Sequence, residues 1–126
     1  VAHLRLLLDH PVTAQVHGVH KAVTLPSMPA FFVHRLVTAR FGEYRDRVLY
    51  LAKIRKDLKQ AALVAARIAE DEQLTGELQR IARELPDDLK EKMRQSAETA
   101  ADHVQPPDFS QSDCADILAM TQSALA

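Results

Sequence analysis

Tryptophan is absent, and the chain holds one cysteine, three glycines, four phenylalanines and two tyrosines. Each shortage excludes something. One cysteine rules out a disulfide framework and a four-thiolate zinc site. A lone thiol, Cys114, fits a reducing compartment, so an intracellular, cytoplasmic protein is expected. Three glycines leave little turn material for a many-stranded β fold. Aromatics at 5% imply an aliphatic, alanine-rich core, which suits close helix packing. No apolar run approaches the roughly 20 residues of a membrane span. The apolar run at 4–8 is too short for a signal-peptide core, and Arg5 interrupts it. A net charge of −1 gives no whole-chain attraction to nucleic acid or an anionic membrane.

What is present is a folded-protein composition. Apolar residues make up 47% of 126 residues, enough for one domain with its own core. Val1 in place of methionine fits a domain cut from a longer chain. The chain is organised around 44–68. Tyr44, Leu51, Ile54, Leu58, Ala61, Ala65 and Ile68 occupy the a and d positions of a heptad, interrupted at Arg47. Neither proline nor glycine breaks this run, which predicts a helix about 40 Å long. Lys53 and Asp57, like Glu43 and Arg47, are spaced i,i+4 for pairing.

Shorter helices are expected around it. Leu4, Leu7 and Leu8 suggest one over 1–8. Val12, Val16, Val19 and Val23 fall at helical spacing over 12–25, although they are β-branched and Gly18 weakens a helix by about 1 kcal/mol. Pro26 and Pro29 end that stretch, and Ser27 can cap a helix over 29–41 that carries three phenylalanines. Gly42 supplies a stop. After Ile68 the seam shifts phase to Leu74, Leu78, Ile81 and Leu85, so a break is expected near 71–76, with acids at the new start. Asp87 is the expected N-cap of a helix over 88–104 with Leu89, Met93, Ala97, Ala100 and Val104 inward. Pro106 and Pro107 end it. Ser110 and Asp113 have capping-box spacing before a last helix over 111–124. The expected fold is therefore all-α: a single bundle of five or six helices.

Charge is unevenly spread. From His34 to Lys59 there are eight basic residues against three acids, and from Glu70 to Asp102 ten acids against five basic residues. The plain expectation is that the two regions face each other within the bundle. The functional one is a basic interaction surface formed by Arg35, Arg40, Arg45, Lys53, Arg55, Lys56 and Lys59. A protein–protein interaction or assembly module without its own catalysis is the leading reading, with another protein or a second copy as partner. A heptad seam serves equally an internal bundle or an intermolecular coiled coil.

Two alternatives stand beside it. The same basic face suits phosphates of a nucleic acid, although aromatic interleaving is sparse. A small helical enzyme or metal-binding bundle would use Arg35, Arg40 and Arg47 as an anion pocket, or His17 and His20 as first metal ligands. No Glu-x-x-His or His-Glu-x-x-His motif supports a metal. No nucleophile elbow or P-loop is present, and no cofactor is expected. Nor does His17 carry the phosphotransfer pattern of lysine and glycine three and four residues on; those positions hold His20 and Lys21. Cys114 reads as a small buried apolar residue.

Overall fold

The computed structural model describes residues 9–15, 22–39 and 47–126. Among these, five α-helices and one short hairpin form an all-α bundle. The expected helix over 1–8 lies outside the described residues.

The first correction falls at 12–25. Strands β1 (Pro11–Gln15) and β2 (Ala22–Pro26) pair antiparallel, with Val12 opposite Leu25 and Thr13 opposite Thr24. The helical spacing had combined Val12 of one strand with Val23 of the next. Val12, Thr13, Val23 and Thr24 are stiff, β-branched residues that favour a pleated strand. Pro11 and Pro26 sit at the strand ends, where a missing ladder donor costs least.

Ser27 joins the hairpin to the bundle. Its amide donates to the His10 carbonyl at 2.7 Å, and its hydroxyl accepts from the Ala30 amide at 3.2 Å. This caps α1 (Met28–Thr38) as expected, with Pro29 in the first turn where its missing N–H is harmless. Ala30, Phe32, Val33, Leu36 and Val37 are fully buried. The helix ends at Thr38, so Phe41 and the stop expected at Gly42 lie outside the described residues.

Helix α2 (Arg47–Ala69) is the long one, about 35 Å at 1.5 Å per residue. Its seam residues Ile54, Leu58, Ala61, Ala65 and Ile68 are buried in the core of this same chain. Tyr44 and the Arg47 side chain lie outside the described residues. The expected break occurs at 70–71, where the Asp71 carboxylate accepts from the Gln73 and Leu74 amides at 2.9 and 3.3 Å and caps α3 (Glu72–Glu84). Gly76 plays no part in it; it lies inside α3 with open space around it.

Helix α4 (Asp87–Thr99) begins one residue before the expected start. Its cap is Pro86, which contributes no side-chain hydrogen bond, so Asp87 is a first-turn acid at the positive end of the helix rather than the cap. The helix also stops short of Val104, tightening into a 3₁₀ turn over Ala100–His103. Gln105 and Phe109 then exchange backbone hydrogen bonds of 2.8 and 3.0 Å around the two prolines. This closed loop places Phe109 fully in the core.

Helix α5 (Gln111–Leu125) carries the expected capping box. The Asp113 amide donates to the Ser110 hydroxyl at 3.1 Å, and the Ser110 amide donates to the Asp113 carboxylate at 2.9 Å. Helix α1 packs on α2, α3 and α4, while α5 packs on α2, α3 and α4 from the other side. One buried cross-link ties α4 to α1, the Ser96 hydroxyl donating to the Leu36 carbonyl at 2.5 Å.

Candidate functional site

The basic residues singled out in the sequence divide into three groups. Arg35 and Lys53 converge on Asp57, a carboxylate only 3% exposed. Lys53 Nζ lies 2.7 Å from Oδ2, and Arg35 Nη1 lies 3.3 Å from Oδ1. The Thr38 hydroxyl donates to Oδ2 at 3.3 Å, and Lys53 also donates to the Thr38 carbonyl at 3.1 Å. Arg35 reaches on to Gln60 Oε1 at 3.4 Å and to His34 Nδ1 at 2.8 Å. A guanidinium can only donate, so Nδ1 of His34 accepts. The Phe31 ring lies 5.0 Å from the guanidinium carbon. This cluster binds α1 to α2 along the last turns of α1.

The second group is tied to the C-terminal third. Lys59 pairs with Asp113 at 2.9 Å, and Arg55 Nε donates to the His103 carbonyl at 3.2 Å. Lys59 thus meets an acid of α5 rather than one from 70–102. Burial raises the Asp113 carboxyl's pKa. The Ser110 amide, the Lys59 ammonium and the Ser110 hydroxyl together outweigh it, and the net shift is downward. A lowered folded-state pKa contributes stability that is complete above the unfolded value and lost as pH falls through the folded one. Asp113→Ala should therefore cost about 1 kcal/mol at neutral pH. The difference from wild type should shrink below about pH 4. Urea unfolding at several pH values measures both.

The third group is Lys56, exposed and in no ion pair among the described residues. Arg40 and Arg45 lie outside the described residues, as do His17 and His20. Among the described residues no cluster of histidine, cysteine and carboxylates has metal-binding geometry, and no helix is long and apolar enough to cross a membrane. Cys114 is buried as expected. Burial, then the neighbouring Asp113 charge, pushes its thiol pKa up, so it stays protonated at neutral pH. Arg35 is paired with Asp57 and Gln60, and the side chains of Arg40 and Arg47, the other two residues of the expected anion pocket, lie outside the described residues.

No family model, curated protein or solved structure matches this chain. Function must be read from its own surfaces.

One surface escaped the sequence reading. On the side of α2 opposite the core, Leu49, Ala52, Lys56, Lys59, Leu63 and Ala66 follow one another at alternating steps of three and four residues. Leu49 is 64% exposed and Leu63 57%. Ala52, Lys56 and Ala66 are exposed as well. The signal was available in the i,i+7 series 49, 56 and 63, masked by the stronger inner seam. The two leucines stand about 21 Å apart along the helix, with the lysines between them.

Proposed function

We propose that this domain is a helical protein-interaction module whose docking surface is the outer face of α2. The observation that carries it is the outward heptad stripe with two large exposed leucines. Single exposed leucines need no explanation. Two at one heptad position, each beside an exposed alanine and separated by lysines, give two apolar anchors that an amphipathic helix can lie across.

Charge decides the occupant. The stripe from 49 to 66 is centred between Lys56 and Lys59. A parallel copy would set Lys56 against itself, while an antiparallel copy would set it against Lys59, whose charge Asp113 already offsets. The parallel arrangement brings like charges together, and neither gives Lys56 an opposite charge, which disfavours self-pairing. A partner helix with apolar residues at both ends and carboxylates in the middle meets leucines with apolar contacts and Lys56 with an opposite charge. The partner is therefore an acidic amphipathic helix of another protein.

The test is site-specific photocrosslinking in cells, with a benzophenone amino acid at position 63 and, as a control, at exposed position 80 of α3. A discrete adduct mapping to an acidic helix is expected from 63 and not from 80. Lys56→Glu should lower its yield roughly tenfold. Equal capture from both positions, or indifference to Lys56→Glu, would refute the reading. Leu63 is exposed, so Leu63→Glu is expected to shift stability by less than about 0.5 kcal/mol, which thermal unfolding checks.

A further inference from the structure

Two adjoining cavities lie on the other side of the molecule, where α3 and α4 meet the end of α5. The first, of about 290 Å³, is lined by Gln79 and Arg83 of α3, Lys90 and Arg94 of α4, and Ser123 of α5. Three cations from two helices thus surround one concavity. Lys90 and Arg94 share a face at i,i+4, and the turn at Leu85 and Pro86 folds the last turn of α3 back beside them. Arg83 and Lys90 form no ion pair among the described residues. Arg94 pairs with Glu91 in an exposed i,i+3 contact, a weak interaction that a ligand can displace.

The second cavity, of about 220 Å³, shares Arg94 and Leu125 with the first and adds Leu118, Thr121 and the acid Glu98. Its wall is more apolar. Thr121 is 2% exposed, and its hydroxyl is buried without a hydrogen-bond partner.

We propose that these paired cavities bind a small phosphate monoester. The phosphate sits among Arg83, Lys90 and Arg94, and the organic group lies along Leu118, Leu125 and Thr121. Guanidinium forks match phosphate oxygens in pairs, Lys90 adds a point charge, and Gln79 and Ser123 supply neutral donors. The last carbonyls of α5 carry about half a negative charge here. Glu91, which pairs with Arg94, and Glu98 beside the second cavity oppose the cations too, so the positive excess is small and is centred on Arg83 and Lys90. Together the cavities reach the size of a small-ligand pocket.

The competing account is that these cations serve only to neutralise the end of α5. Backbone amide NMR titrations with inorganic phosphate and with phenyl phosphate separate the two, with chloride holding ionic strength constant. Saturable shifts confined to α3, α4 and α5 are expected, with a Kd of about 1 mM for inorganic phosphate. Phenyl phosphate should bind about tenfold more tightly. Arg83→Ala and Arg94→Ala remove exposed side chains, and each should weaken binding about tenfold while leaving the spectrum of the free protein folded. The site is refuted by non-saturating shifts, by shifts scattered over all surface cations, or by variants that lose thermal stability with no change in titration. Equal affinity for both probes would overturn the role of the second cavity.

Discussion

Replacing Asp57 with alanine is expected to destabilise the fold by about 3 kcal/mol. Its carboxylate accepts from Lys53, Arg35 and Thr38 in a nearly closed site. A buried ion pair often contributes little relative to an apolar replacement, but removing one partner leaves the others uncompensated. Lys53 is 32% exposed and can turn to water; Arg35, at 22%, is more confined, and its Nε is already buried without a partner. That asymmetry sets the effect at the lower end of the range for broken buried pairs. Urea denaturation followed by circular dichroism reads it directly, with the midpoint falling and the slope unchanged. A loss under about 1 kcal/mol would mean that water already screens the cluster and that it does not clamp α1 to α2.

Phe109→Ala should cost more, about 4 kcal/mol. Phe109 is among the largest fully buried side chains in the described core. It also sits at a joint. Its backbone closes the loop with Gln105, and the next residue, Ser110, caps α5. Alanine would leave a cavity in the core, with little freedom to collapse around a doubly hydrogen-bonded loop. Phe109→Leu, which keeps most of the volume, should cost under about 2 kcal/mol. Thermal unfolding of the two variants gives the ratio. Near-equal losses would place the importance of this position in the backbone loop rather than in the ring.

Phe109 also shows where sequence reading reaches its end. It has no periodic neighbours, being set between two prolines and a cap, so no spacing argument could place it in the core. The inner seam of α2 was legible because five buried residues repeat without interruption, and the Ser110–Asp113 box because its chemistry is local. The hairpin was misread because valines on two strands happened to mimic one helical face. Asp57 had an expected partner in Lys53, and that pair is present at 2.7 Å. Its burial depended on Arg35 and Thr38 arriving from another helix, 22 and 19 residues away in the chain. The same distance effect separated the seven proposed surface cations. Their shared charge was visible in the sequence, but the carboxylates waiting for Arg35 and Lys59 on other helices were not, and Lys56 was left as the exposed charge on the outer stripe. The cavity cations Arg83, Lys90 and Arg94 were hidden within a stretch that is acidic on balance.

Light scattering across a wide range of protein concentration and salt tests the central claim most directly. That claim gives α2 two faces, the inner seam filled by this chain's own helices and the outer stripe reserved for a different, acidic partner. It predicts a monomer at every concentration and ionic strength, because the inner seam is already buried and Lys56 finds no opposite charge on a second copy of the outer one. A dimer that persists at high salt would contradict it, since the stripe would then be pairing with its own copy in spite of Lys56.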